Sequence, residues 1–192
     1  MVFRRAAITL LIGCGVGLGQ QNGRFASLKS QAFEAFDRGQ FDQVAGKLEE
    51  IWEQDQTDPK VAEYLAMGYL YGERRADKAR PLMKAAIAKG GQATFMVRHS
   101  HERAGILSGD IINNYCSGRM SITADKIAFI SEIPDHSVTF TLVDLKSFRI
   151  LGGSPGRVEI KSHNKTHIFR VKSESTDEAN LLQEIASESL KK

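Results

Sequence analysis

The histidines and cysteines of this chain are its candidate metal ligands. All five histidines lie in the second half of the 192-residue sequence, together with one of its two cysteines. His99 and His101 alternate along a strand-like stretch, so their imidazoles would share one face and could hold a metal ion. Cys116 could add a soft sulfur ligand, but no further histidine adjoins these residues. We therefore expect structural histidines, a buried apolar Cys116 and no metal ion.

The motifs of common catalytic sites are missing from the sequence. It contains no Gly-x-Ser-x-Gly elbow, no Walker loop, no His-Glu-x-x-His helix and no paired-cysteine metal motif. The formal net charge is only +3, which does not demand a nucleic-acid partner. We predict a protein that is not an enzyme, uses no cofactor and binds no nucleic acid.

The first 19 residues are organised like a bacterial secretory signal. Arg4 and Arg5 form a basic head, and a nearly uncharged apolar stretch follows over 6–18. Such a stretch is too short to cross a membrane as a helix. In one interpretation, the chain is cleaved at the small residues before Gln20. In the other, the segment ending at Cys14 resembles the lipobox of bacterial lipoproteins, which implies that Cys14 is lipidated and tethers the protein to a membrane. A third interpretation is that the segment is retained as an anchor. All three predict an exported protein, periplasmic or membrane-anchored.

Apolar residues recur at helical spacing over 24–91. Two stripes within 25–52, separated by a Gly-Gln pair, predict two short helices and a tight turn. Asp58-Pro59 supplies an N-cap and a first helical residue for a third helix. A fourth helix is expected to end at Gly90-Gly91, with Pro81 in its first turn, where proline is tolerated.

Equivalent positions of the two helix pairs recur about 35 residues apart, close to the tetratricopeptide period. With Gly39, Phe41, Tyr64, Met67-Gly68 and Ala79, the segment resembles two tetratricopeptide repeats. The resemblance implies a protein partner, a peptide or a helix, on the face lined by the first helix of each pair. That face would present Lys29, Phe33, Phe36, Leu65, Tyr69 and Gly72. The other interpretation is that these aromatic residues pack between helices. Because such arrays usually need three or more repeats, we expect this one to lean on the rest of the chain or on another copy.

After Gly91 the apolar pattern changes to the twofold period that is typical of β-strands. A connector is expected over 92–115, and Ser175 to Glu178 reads as a capping box before a closing helix over 176–190. The alternating stretches lie within 94–101, 119–129, 138–150 and 157–171.

Successive strands followed by one amphipathic helix resemble the pleckstrin-homology-like fold and its GRAM-type relatives. The sequence thus predicts an α+β protein: four helices in hairpin repeats, then an antiparallel β-domain over 116–192 that includes the strand near 94–101. Domains of that kind bind proteins, peptides or lipids, so the fold alone selects no function. We predict a non-catalytic protein-interaction scaffold of the bacterial cell envelope, with self-association left open. The alternative is a lipid or small-ligand module that uses the space between the bent sheet and its helix.

Overall fold

The computed structural model describes residues 15–101, 115–141, 143–151, 156–163 and 165–189, with side chains from residue 23 onward. Helices are followed by a seven-stranded antiparallel sheet and a C-terminal helix, which confirms the predicted α+β class. Cys14 and most of the predicted connector lie outside the described residues. Among the residues that are described, no helix is both long and apolar enough to cross a membrane.

Helices form the N-terminal part of the chain. They are α1 (Gly15–Asp37), α2 (Ala45–Gln54), α3 (Pro59–Met67) and α4 (Ala76–Ala88), and a π-helical turn, Gly68–Gly72, continues α3. The Asp58 side chain accepts hydrogen bonds from the N–H groups of Lys60 and Val61, as predicted for the N-cap of α3. The prediction for Pro81 was wrong. Because α4 begins at Ala76, Pro81 lies beyond the first turn, where its missing N–H leaves one helical carbonyl without a donor.

Two glycines let the π-helical turn lie directly against the start of α2. A Cβ atom on Gly68 would be 2.9 Å from the Ala45 nitrogen, and one on Gly72 would be 2.6 Å from the Phe41 carbonyl oxygen. Any side chain at these positions would push the two backbones apart. The same turn carries Tyr71, whose hydroxyl forms a hydrogen bond with the sheet.

Seven strands form one antiparallel sheet in the order β4-β3-β2-β1-β7-β6-β5. The central strand, β1, pairs with both β2 and β7, so it joins the two halves of the sheet. All four alternating stretches of the sequence contain strands. Their bounds are β1 (Ala93–Ser100), β2 (Tyr115–Ile122), β3 (Lys126–Ser131), β4 (Val138–Thr141), β5 (Leu145–Ile150), β6 (Arg157–Ser162) and β7 (Lys165–Val171).

The core of the β-domain lies between one face of the sheet and α5 (Thr176–Ser189). Alternate residues of the strands face this core, and α5 adds Leu181, Leu182 and Ile185. The space that the small-ligand alternative requires is therefore filled by side chains. The largest of them are Phe95, Met120, Phe129, Phe140 and Phe169, all at most 1% exposed.

The helices pack against β1 and α5. The Tyr71 hydroxyl accepts the Met96 N–H at 2.7 Å and donates to the Glu178 carboxylate of α5. In the same contact region, the Thr94 hydroxyl donates to Glu63 of α3 at 2.6 Å. The short helical array thus leans on the rest of its own chain, as the sequence led us to expect.

Candidate functional site

A cleft of about 720 Å³ separates α1 and α3 from the outer face of β1, β2 and β3. The helical wall carries aromatic side chains, and the sheet wall carries alternate residues that point away from the β-domain core. The principal lining residues are Phe36, Lys60, Glu63, Tyr64, Arg119 and Ile130.

Aromatic rings build the helical wall of the cleft. Phe36 of α1 stacks on Tyr64 of α3, with ring centroids 3.9 Å apart and an interplanar angle of 11°. Phe33 packs edge-on against the same tyrosine at 4.5 Å. Stacked and edge-on pairs of this kind stabilise the α1–α3 contact beyond the apolar area that they bury.

Two cations lie over these rings. The Lys60 Nζ atom is 4.6 Å from the centroid of Phe33 and 5.2 Å from that of Tyr64. From the sheet side, the Arg119 guanidinium lies 5.2 Å from the centroid of Phe36. Within the described part of the chain, neither cation forms an ion pair with a carboxylate. Apart from the longer-range attraction of the buried Glu63 carboxyl, both cations can therefore meet a carboxylate from outside.

Glu63 is the buried acid of the cleft, only 7% exposed. Its Oε1 atom accepts hydrogen bonds from the Thr94 hydroxyl at 2.6 Å and from the Gln92 amide at 2.9 Å. Burial raises the pKa of Glu63, and these hydrogen bonds together with the two nearby cations oppose that rise. Glu63 therefore holds α3 to the start of β1.

Ile130 supplies the apolar part of the sheet wall. Its side chain is 61% exposed, which is unusual for an isoleucine in a strand that pairs on both sides. The cleft thus offers the partly buried Tyr64, an exposed aliphatic side chain and two cations to one ligand.

Most residues of the face that the sequence predicted for a protein partner do not line the cleft. Leu65 is 1% exposed and Tyr69 is 5% exposed, and both belong to the core. Lys29 pairs with Asp58 at the start of α3, and Phe33 is partly buried against Tyr64. Of the predicted residues, Phe36 lines the cleft. Sequence reasoning missed Lys60, Tyr64 and Arg119 as a group, because the pairing of α3 with β2 across the cleft has no local signal.

Four histidines gather at one end of the core face of the sheet. The ring centroids of His99 and His101 are 5.0 Å apart, those of His101 and His136 are 4.3 Å apart, and those of His99 and His167 are 5.4 Å apart. The register pairs His99 with Cys116 of β2, which is buried and forms no disulfide. The sequence predicted the His99–His101 pair but gave no reason to bring His136 and His167 to it.

Burial lowers the pKa of three of these histidines. Desolvation lowers the pKa of His99 to about 4, and the neighbouring histidines add to this effect. Desolvation also lowers the pKa of His101 and of His167. Neutral imidazoles retain a lone pair that can bind a metal ion or accept a proton. The fifth histidine, His163, lies in the exposed β6–β7 turn.

No protein-family model matches the chain, and no curated protein matches its sequence. Among solved structures, the N-terminal PH domain of human ARAP2 is similar, with a TM-score of 0.41 and 14% identity over 53% of this chain and 81% of that one. The C-terminal domain of an unknown protein from Leishmania infantum is similar with a TM-score of 0.35 and 13% identity, over 52% of this chain and 82% of that one. Neither similarity is strong enough to carry an argument about function.

Proposed function

We propose that this protein is a non-catalytic protein-interaction module of the bacterial cell envelope, and that its cleft holds a short extended segment of a partner protein. The observation that carries the proposal is the pair of cations, Lys60 and Arg119, which lie over an aromatic wall without a carboxylate partner in the described residues. A cleft of about 720 Å³ lies within the range of sites that enclose small ligands or a few peptide residues.

The chemistry of the cleft selects the kind of segment. Arg119 presents planar N–H donors that suit a carboxylate, and Lys60 adds a second positive charge at the helical wall. The partly buried Tyr64 and the exposed Ile130 favour an aliphatic or aromatic side chain next to that carboxylate. The segment that fits best therefore has an aspartate or glutamate adjacent to an apolar residue.

The envelope part of the proposal rests on the N-terminal sequence. The basic head and the short apolar stretch of residues 1–19 support export. After export, cleavage before Gln20 would yield a periplasmic protein, whereas lipidation of Cys14 would tether the module to a membrane.

A peptide selection with the purified protein tests the ligand chemistry. We expect the selected peptides to place a carboxylate beside an apolar residue. In fluorescence anisotropy, Arg119→Glu should weaken their binding at least tenfold, and Arg119→Gln should weaken it less. The matched control is Lys146→Glu, the same charge reversal on exposed edge strand β5, away from the cleft, which should leave binding unchanged.

The apolar part of the cleft is tested in the same way. Ile130→Asp should weaken binding, whereas Val143→Asp, at a 94% exposed position outside the cleft, should not. Peptides without an acidic residue, or equal binding by Arg119→Glu and Lys146→Glu, would contradict the proposal. Co-purification of a stoichiometric lipid in place of a protein partner would favour the lipid-binding alternative.

A further inference from the structure

Metal-binding side chains from two strands and one turn converge at the end of the core face. One ring nitrogen from each of His99 and His101 and the sulfur of Cys116 lie within 4.8 Å of one another. The ring of His136, in the 3-10 turn Pro134–His136 between β3 and β4, lies 4.3 Å from that of His101. We propose that this cluster is a zinc site with His99, His101, Cys116 and His136 as its four ligands.

Unpaired nitrogen atoms are the second observation that points to an ion. The Nδ1 atom of His99, the Nε2 atom of His101 and the Nδ1 atom of His136 are all buried, and none has a hydrogen-bond partner among the residues that the structure describes. Buried polar atoms are nearly always paired, because an unpaired one loses its hydration without compensation. Three such atoms on three neighbouring histidines would all be satisfied if each donated its lone pair to one ion.

His167 orients the first ligand. Its Nδ1 atom lies 3.3 Å from the Nε2 atom of His99. When the proton of His99 resides on Nε2 and is donated to His167, the Nδ1 lone pair of His99 is left for the metal. Metal-bound histidines typically use their second nitrogen in this way, because the hydrogen bond fixes both the tautomer and the orientation of the ring. His167 is thus a positioning residue and not a ligand.

The set of ligand types selects the ion. Three imidazoles and one thiolate suit Zn²⁺, whereas Mg²⁺ and Ca²⁺ prefer oxygen ligands. Tetrahedral zinc needs ligand atoms about 3.5 Å apart. The His99, His101 and Cys116 atoms lie within 4.8 Å of one another and must close by about 1 Å, and the His136 ring must turn toward them. Zinc binds the thiolate of a cysteine, so binding at Cys116 releases the thiol proton to solvent.

Direct titration of the full chain with Zn²⁺ tests the site. A Cys14→Ser background leaves Cys116 as the only thiol, since the sequence has two cysteines. Calorimetry on the metal-stripped, reduced protein should give one Zn²⁺ per chain. Saturation at 100 times the dissociation constant should raise the Tm by roughly 5–10 °C. Co²⁺ in place of Zn²⁺ should give a sulfur-to-metal charge-transfer band.

Single substitutions assign the ligands. His101→Ala, His136→Ala and Cys116→Ser should each weaken Zn²⁺ binding at least tenfold, and Cys116→Ser should also abolish the charge-transfer band with Co²⁺. His163→Asn is the control, because it removes an exposed imidazole outside the cluster and should leave binding unchanged. If Cys116→Ser fails to fold, His101→Ala at the end of β1 still decides the outcome. The proposal is overturned if the parent chain binds no stoichiometric Zn²⁺, or if it binds no more tightly than His101→Ala and His136→Ala.

Discussion

Substitution of Tyr71 by phenylalanine should show how strongly the helices depend on the sheet. The Tyr71 hydroxyl accepts the Met96 N–H at 2.7 Å, just where β7 stops pairing with β1, and it donates to Glu178 of α5. Burial and the nearby Glu178 carboxylate hold the pKa of Tyr71 well above its usual value, so the hydroxyl keeps its proton. Tyr71→Phe removes both hydrogen bonds while the ring remains.

The expected loss follows from these two bonds. A neutral hydrogen bond contributes about 1 kcal/mol, and a bond to a charged group contributes about 1.5–3 kcal/mol. Glu178 keeps the Ser173 N–H at 3.1 Å and the Ser173 hydroxyl, so its carboxylate is not left alone. We therefore expect Tyr71→Phe to lower the free energy of unfolding by about 2–4 kcal/mol, and the Tm by about 5–15 °C for a chain of this length.

Urea unfolding, followed by circular dichroism and by tryptophan fluorescence from Trp52 in α2, measures the effect. Tyr64→Phe is the matched control: it makes the same substitution at a hydroxyl without a hydrogen-bond partner among the described residues, and its cost should stay within about 0.5 kcal/mol. Both probes should report one transition in each variant. If the two substitutions cost the same, the Tyr71 bridge does not stabilise the fold and the reasoning is refuted.

Three further predictions concern the pH dependence of stability at Glu63, the folding of the isolated helices and the N-terminus of the mature chain. Burial raises the pKa of Glu63, so the folded state holds this proton more tightly than the unfolded state does. The stability that comes from this proton is present at low pH and is lost as pH rises above 4.5 through the raised pKa. In urea titrations at pH 4.5 and 7, the parent chain should lose more stability between the two pH values than Glu63→Gln does, and equal losses would contradict this prediction. A fragment of residues 20–91 should be poorly helical or self-associate, whereas 20–192 should unfold cooperatively; a monomeric, fully helical fragment in light scattering and circular dichroism would disprove this. Mass spectrometry should find a mature chain that begins at Gln20 or at lipidated Cys14, and an intact Met1 after expression in bacteria would contradict both cleavage sites.

Local backbone structure was largely predictable from the sequence. The change from a helical to a twofold apolar period at Gly91 falls between the end of α4 and the start of β1. The Ser175 hydroxyl accepts the Glu178 N–H at 3.1 Å, as a capping box requires. These features depend on residues within one turn or one hairpin of each other, so their pattern is visible in sequence.

The partners of individual side chains were decided by tertiary structure. The capping-box carboxylate of Glu178 binds Ser173 and Tyr71 and not the N–H of Ser175. Arg80 and Lys84 of α4 both form ion pairs with Glu184 of α5. Such contacts depend on which faces of distant elements are buried together, and residue spacing along one helix carries no record of that choice.

The order and type of the elements, the N-cap of α3 and the alternation of His99 and His101 could be read from the chain alone, because all of these depend on local periodicity or local motifs. The remaining contacts depend on how distant elements pack together. The order β3-β2-β1-β7 brings Cys116 and His167 beside His99, and the docking of α3 over β2 sets Lys60 opposite Arg119. Strand order and helix docking minimise the exposed apolar surface of the whole chain, and that quantity cannot be evaluated from any single segment.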